Sequence, residues 1–242
     1  MGGDAGPGLT GKVGDEMPKV RNIQAVTFDV GGTLIKPWPS VGQIYAEVAA
    51  KNGQPGISPA LLDERFAAAW RGLENFHHGR DAWSALVDRV FEGLTKQPPS
   101  ALFFSELFEK FGEPDVWRIF DDVKPAIDAL ASLGINLGVI SNWDERLQPL
   151  LERLDLRKYF ETVVVSCEIG FSKPSPVIFE HAARKLGLAP EFILHVGDSA
   201  RDDLRGAESA GFQARLIERG QNAGGPGRIS SLLELERLTQ GG

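Results

Sequence analysis

The stretch Phe28-Asp29-Val30-Gly31-Gly32-Thr33-Leu34 decides how this chain is read. It follows Ile23 to Phe28, an apolar run broken only by Gln24 and Thr27, which predicts a buried strand. Asp29 stands where that strand stops and two glycines bend the chain. A carboxylate at the end of a buried strand is costly unless it binds something. In open α/β sheets, ligands collect at the carboxyl edge of the strands. Gly31 and Gly32 let the backbone approach a ligand with no Cβ in the way. Taken alone, the segment fits equally well a strand and a glycine turn, with Asp29 accepting backbone hydrogen bonds.

Three later segments tip that balance. Ile135 to Ile140 predicts a second buried strand, ending in Ser141-Asn142. Glu168-Ile169-Gly170-Phe171-Ser172-Lys173-Pro174 leads into a helical pattern that begins near Ser175. Phe192 to Val196 predicts a further strand, ending in Gly197-Asp198-Ser199-Ala200-Arg201-Asp202-Asp203. Acids, a hydroxyl, an amide and one lysine are thereby delivered to one sheet edge. That inventory suits a phosphate and a hard divalent cation.

These four segments, in this order, closely resemble the haloacid dehalogenase-like hydrolase superfamily over roughly residues 22–220. The run Gly138 to Leu147 is similar to the subfamily with a helical cap inserted after the first motif. The resemblance implies an α/β fold, a Rossmann-like parallel sheet flanked by helices with an inserted all-helical cap. It implies Asp29 as catalytic nucleophile toward a small phosphorylated substrate. Mg²⁺ would be held by Asp29, the Gly31 carbonyl and Asp198. Ser141 and Asn142 would bind the phosphoryl group, and Lys173 would serve both phosphate and catalysis. Asp203 would support the metal's water or Lys173, and Thr33 would fix the loop. Asp202 is expected to face solvent.

The residues themselves are compatible with those roles. A carboxylate can attack phosphorus and form an aspartyl phosphate that water hydrolyses. Pro174 biases Lys173 toward extended backbone, and the helix start near Ser175 adds partial positive charge. Phosphoryl transfer is mostly positioning and electrostatics. Each residue also has a plainer reading. Ser141 at a strand end can cap a helix, and the Thr33 hydroxyl can be purely structural.

The chain has 242 residues, 42% hydrophobic, enough for one sizeable core or a core with a smaller lid. Its net charge of −7 argues against nucleic acid or an anionic membrane as main partner. No apolar run approaches the ~20 residues of a membrane span, and the start has no signal-peptide core. The single cysteine, Cys167, excludes an intrachain disulfide and fits a reducing cytoplasm. It follows the strand-like Val163-Val164-Val165 and is expected to be buried.

Residues 1–20, rich in Gly and charge at the start, are expected to form a disordered tail. Residues 21–35 and 121–242 are expected to form the core, and 36–120 the cap. Within the insertion, apolar residues recur at helical spacing over 41–52, 58–76, 81–94 and 99–111. After Pro125, helical stretches alternate with apolar strands at 135–140, 162–166, 192–196 and 213–217, which predicts parallel β-α-β units. The aromatics Trp70, Trp83, Phe91, Phe104 and Phe108 are expected as cap core and His77-His78 as surface or cap packing, with substrate contact the lesser alternative for both.

One position breaks the family pattern. The usual phosphatase motif has a second Asp two residues after the nucleophile, which protonates the leaving group and activates water. Here it is Gly31. Such an acid–base contributes about 10²–10⁴ in rate. Three readings follow: a phosphatase for good leaving groups, such as aryl or acyl phosphates, or one with a borrowed acid; a slow phosphate- and metal-binding regulatory protein; or carbon–halogen or carbon–phosphorus chemistry. The last would need no metal in the first case, and in the second a cap lysine, for which Lys51, Lys96 and Lys110 are the candidates.

Overall fold

Strand β1 (Ala25–Phe28) forms on the first apolar run and lies inside a six-stranded sheet. The structure, a computed structural model, describes residues 22–73, 76–220 and 225–240. The tail expected to be disordered falls outside these residues. After β1 come β2 (Ile35–Pro37), then α1 (Val41–Lys51), α2 (Pro59–Arg71), α3 (Arg80–Val90), α4 (Pro99–Leu102) and α5 (Phe104–Lys110). The chain returns through β3 (Trp117–Ile119), which pairs antiparallel with β2. This two-stranded ribbon carries the chain out of the sheet domain and back.

The second part alternates as expected. It runs α6 (Val123–Ser132), β4 (Asn136–Ser141), α7 (Leu147–Arg153), β5 (Thr162–Val165), α8 (Ser166–Ile169) and α9 (Pro176–Leu186). It then continues with β6 (Ile193–Gly197), α10 (Gly206–Ser209), β7 (Gln213–Ile217), β8 (Arg228–Ile229) and α11 (Glu234–Gln240). The sheet order is β5-β4-β1-β6-β7-β8, with every pairing parallel. The chain builds outward from β1 on one side through β4 and β5, then on the other through β6, β7 and β8. The order therefore reverses at β1, and the crevice beyond its carboxyl end is where such sheets bind ligands.

The strands read as near-continuous apolar runs because both faces are covered. Val26, Phe28, Leu137, Val139, Leu194 and Val196 face the helices α6, α7 and α11. Ala25, Ile140, Val164, Ile193 and Ala214 face α9 and α10. A separate core built around Ile44, Leu62, Val87, Phe91 and Leu107 fills the insertion. Its helices start at encoded caps. The Ser40 hydroxyl accepts from Gln43 N–H, and that of Ser58 from Leu61 N–H.

Several elements depart from the periodicity. The apolar stretch 99–111 is two helices, broken at Phe103, whose ring is buried against Phe91 at 5.4 Å. The stretch expected as helix 201–210 begins as a wide π-helical turn, Ala200–Arg205, and narrows into α10. The short strands β2, β3 and β8 carry too few residues to show a period of two. Cys167, expected inside, is exposed. Strand β5 stops at Val165 and the following turn buries Ser166 instead. Burial and neighbouring carboxylates, led by Glu168, push the Cys167 thiol up to about 11, away from a reactive thiolate.

Helix α1 packs closely on α2. Gly42 sits so near α2 that an added Cβ would stand 2.1 Å from the Pro59 carbonyl oxygen. Its N–H donates to Asp63 Oδ1 at 2.6 Å, and Ser40 Oγ donates to Asp63 Oδ2 at 2.7 Å. Gly42→Ala should therefore destabilise the protein despite alanine's helix propensity, by about 1–3 kcal/mol for overpacking. Urea unfolding measures this. A variant as stable as the parent would show that the crossing opens freely.

Candidate active site

Three strand ends converge on the crevice. Asp29 follows β1, Ser141 closes β4, and Gly197-Asp198 closes β6. The loop between α8 and α9 brings Lys173 over them. Its ammonium group donates to Asp29 Oδ1 at 2.7 Å and to Asp203 Oδ1 at 2.5 Å, and it is almost wholly buried. Ser141 Oγ also donates to Asp29 Oδ1, at 3.1 Å. The Asn142 amide grips the Lys173 backbone from both sides: Nδ2 donates to the Lys173 carbonyl at 2.9 Å, and Oδ1 accepts from its N–H at 2.7 Å. An amide nitrogen carries two hydrogens, so Asn142 keeps one donor beyond this bond.

Asp203 is spent inside the protein. Its Oδ1 receives Lys173 and stands 3.1 Å from His195 Nε2, while Oδ2 accepts from Ser199 N–H at 2.9 Å. A carboxylate can only accept, so His195 donates through Nε2 and its Nδ1 accepts from the Thr27 hydroxyl at 3.0 Å. The π-helical turn puts Asp203 under the strand end. Gly197 admits it, since a Cβ there would stand 2.1 Å from the Asp203 carboxyl carbon. Gly32, at φ +78°, does the same for Asp198, whose Oδ2 would meet a Cβ at 2.1 Å.

The charges do not balance. Burial above all, and then Asp203, raise the Asp29 carboxyl, against the pull of Lys173. Asp198 is open to the cleft, yet the cleft walls desolvate it. That, together with Asp29 and Asp203, pushes it up to about 7. Burial works to raise Asp203 as well, but Lys173 and His195 outweigh it and hold the group below the usual range. Burial likewise opposes the Lys173 charge, and Asp203 and Asp29 overcome it and raise the lysine. Oxygens of Asp29, Asp198 and Asp203 lie within 4.8 Å of one another. Three carboxylates against one lysine, all oxygen donors, are a set that a hard divalent cation fits. With Asp203 committed to His195, Lys173 and Ser199, Asp29 and Asp198 are the acids left to hold one.

Gly31 lines the cleft beside Asp29. A Cβ there would meet Trp143 Cζ3 at 3.4 Å, ordinary van der Waals contact. The Thr33 hydroxyl is buried and finds no partner among the described residues, while the Thr33 carbonyl accepts from Arg219 at 2.7 Å. Asp202, expected to face solvent, is half-buried on the cleft wall. Burial, then Asp203, raise its carboxyl.

The cleft opens into a cavity of about 990 Å³ roofed by the helical insertion. Trp70 and Trp83, expected as packed core, line it, and Trp70 is 41% exposed. Phe91 is buried as expected; Phe104 and Phe108 are buried and also reach the cavity wall. His78, but not His77, is buried. A second polar group ties roof to floor. Trp83 Nε1 donates to Asp144 Oδ2 at 3.1 Å, and the buried Asp144 is forked by Arg146 at 2.7 and 2.6 Å. The same guanidinium lies over the Phe108 ring and donates to the Phe108 carbonyl.

Sequence reasoning assigned no role to Thr27, His195, Asp144 or Arg146. The signal for His195 was a histidine inside an apolar strand run, where burial demands partners. For Asp144 and Arg146 nothing local separates a buried ion pair from a solvated turn.

A family model described as haloacid dehalogenase-like hydrolase matches residues 23–211. The human haloacid dehalogenase-like hydrolase domain-containing protein 3 is 30% identical over 206 residues, 81% of this chain and 82% of the relative. The glyceraldehyde 3-phosphate phosphatase of Methanopyrus kandleri is 39% identical over 216 residues, 82% and 85% of the two chains. The crystal structure of a HAD phosphatase from Thermococcus onnurineus superposes with a TM-score of 0.66 at 26% identity, covering 90% of this chain and 99% of that one. The match of the motif-bearing residues to the family model, on a parallel sheet whose order reverses at Asp29, makes this chain a member of the haloacid dehalogenase-like hydrolases.

Proposed function

We propose that the chain is a Mg²⁺-dependent phosphatase of small phosphorylated molecules in a reducing compartment such as the cytoplasm, with residues 36–120 as the cap that selects substrate. The observation that carries this is Asp29: a buried carboxylate at the sheet's switch point, held by Lys173 at 2.7 Å and facing Asp198 across the glycine loop. The phosphatase names of relatives such as the Methanopyrus protein support it. Asp29 attacks phosphorus, and the aspartyl phosphate so formed is hydrolysed by water. Lys173 offsets negative charge on Asp29 and the phosphoryl oxygens. The Ser141 hydroxyl, once turned from Asp29, and the free N–H of Asn142 bind those oxygens. Asp203, fixed by His195 and Ser199, holds Lys173 in place. Asp29, Asp198 and the Gly31 carbonyl would hold Mg²⁺, which when bound neutralises the acids and the phosphate. The Schiff-base alternative loses ground. Among the described residues that line the cavity Lys173 is the one lysine, while Lys51 and Lys110 pair with Glu106 and Asp115 on the surface and Lys96 is exposed.

Mg²⁺ should raise the melting temperature by several degrees, since a ligand at a hundredfold over Kd stabilises by about 2.7 kcal/mol. Asp198→Asn should shrink the shift. Asp29→Asn should lower turnover of a phosphate ester at least ~10³-fold, within the cost of losing a covalent nucleophile. An undiminished shift in Asp198→Asn overturns the metal assignment. A shift without turnover in the parent favours a binding protein.

Lys173→Met leaves Asp29 and Asp203 buried without their cation. In EDTA it should cost about 3–5 kcal/mol of stability, as breaking a buried ion pair does. Chemical denaturation measures this, and a loss below ~1 kcal/mol would mean that the acids are not charged in the native state.

Gly31→Asp should supply a leaving-group acid, because the position has non-positive φ and only Trp143 at contact distance. With Mg²⁺ present, kcat/KM on alkyl phosphates should rise by ~10-fold or more, and on aryl phosphates much less. No gain on alkyl phosphates in a folded, metal-binding variant would show that another group already delivers the proton.

A further inference from the structure

The cap wall of the cavity is mostly aromatic, with Val41, Leu73, Val87 and Leu107 filling between the rings. Phe66, Trp70 and Trp83 form a stack, with centroids 5.9 and 5.7 Å apart and planes within 15°. Phe76 stands edge-on to Trp70 and Trp83, at 5.5 and 4.8 Å. Among the described residues lining the cavity, the cap contributes no Lys, Arg, Asp, Glu, Asn, Gln, Ser or Thr. A small polar metabolite would leave its hydroxyls or carboxylate against this wall without partners, at a cost in binding. A planar ring gains contact with it.

The polar atoms in this wall are few, carried by Tyr45, the tryptophan indoles, His77 and His78. His78 is 7% exposed, lies edge-on to Trp70 and Trp83, and among the described residues its Nδ1 makes no well-formed hydrogen bond, the Phe76 backbone standing off as a weak partner. A buried polar atom so poorly partnered calls for an explanation. Burial pushes the imidazole down to about 4, so at neutral pH the ring adds no charge beside the phosphate. The third observation is Gly31. With no carboxyl two residues after Asp29, departure of the leaving group is unassisted there. A phenol with a pKa of about 10 leaves as its anion far more readily than an alcohol near water's 15.7.

We propose that the cap cavity binds a fused or larger planar aromatic group joined to phosphate through a phenol-type oxygen, with a ring substituent hydrogen-bonded to His78 Nδ1. The proposal rests on the phosphatase reading and names its substrate class. A cavity of about 990 Å³ has room for such a group, at the upper end of drug-sized sites. In the reaction an Asp29 oxygen bonds to phosphorus as the bond from phosphorus to the aryl oxygen breaks. The electron pair leaves on the phenolate, which takes a proton from solvent. Water then adds to phosphorus, the bond to Asp29 breaks, and the water's protons end on phosphate and solvent.

The test compares 6-hydroxy-2-naphthyl, 2-naphthyl, acetyl and glycolate phosphates with the Mg²⁺-loaded protein. Binding of 2-naphthylphosphonate and methylphosphonate is followed in parallel by tryptophan fluorescence and calorimetry. Acetyl phosphate carries a good leaving group and no ring, so it reports the phosphatase reading alone. The expected kcat/KM for the naphthyl esters exceeds that for glycolate phosphate by at least ~100-fold, the order an acid–base group contributes. The hydroxynaphthyl ester should gain about 5-fold over the naphthyl ester, one ordinary hydrogen bond, and His78→Ala should erase that gain. Trp70→Ala should lower the ratio of naphthyl to acetyl turnover by ~10-fold. Turnover of acetyl and glycolate phosphates equal to that of the naphthyl esters would overturn the aryl class and leave the phosphatase reading standing. Failure of all four esters would sink that reading, and the phosphonates then decide alone: naphthylphosphonate binding no tighter than methylphosphonate overturns the proposal. Unchanged ratios in both variants, with acetyl phosphate still turned over, overturn it as well.

Discussion

The ammonium group of Lys173 between Asp29 and Asp203 is the contact on which the rest of the site depends. Asp29 at the end of β1 and Asp203 in the π-helical turn after β6 repel, and burial penalises both. Nearly all the surface of Lys173 is withdrawn from water, so its charge acts at low dielectric and holds the two together. Such a triad contributes little net stability, because desolvation cancels most of the attraction. What it does is fix geometry. The Asn142 amide clamps the lysine's own backbone, and His195, anchored on Thr27, orients Asp203 from behind. The register of β1 on β6 sets the Thr27–His195 pair, while the α8–α9 loop and the turn after β6 bring in Lys173 and Asp203.

The glycines explain how so much charge fits at one edge. Gly32 and Gly197 have no Cβ where the Asp198 and Asp203 carboxylates lie. Any side chain at either place would expel an acid. Gly31 is a different case. Nothing in the backbone demands glycine there, and a Cβ would merely touch the Trp143 ring. The missing carboxyl at Gly31 is thus a chemical difference rather than a steric necessity.

Above the acids the protein changes character. The floor of the cavity is charged and hydrogen-bonded, while the roof is aromatic. The two meet at Asp144, which accepts from the roof through Trp83 and is held from the floor by Arg146. Arg146 continues into the helical insertion through the Phe108 ring and carbonyl. A buried, forked carboxylate at this junction thus joins the insertion to the turn that follows the strand end carrying Ser141 and Asn142.

Local pattern was enough for the alternating second half of the chain and for the edge at which Asp29, Ser141, Lys173 and Asp198 gather. Apolar strands, helical spacing and strand-end polar residues are short-range signals, and parallel β-α-β connection then forces those ends to one side. Local pattern could not reveal which polar residues face each other across strands. Thr27 and His195 sit 168 residues apart and pair through the register of β1 on β6. Nor could it separate Trp70, a cavity wall, from Phe91, a packed core ring, since both obey the same helical spacing. Cys167 turned outward because β5 ends at Val165, and periodicity locates strand ends poorly. The four motifs in order carried the resemblance to the family, and apolar spacing located the sheet edge. Tertiary packing decided what lies buried opposite what, because burial and electrostatics depend on neighbours that are distant in the chain.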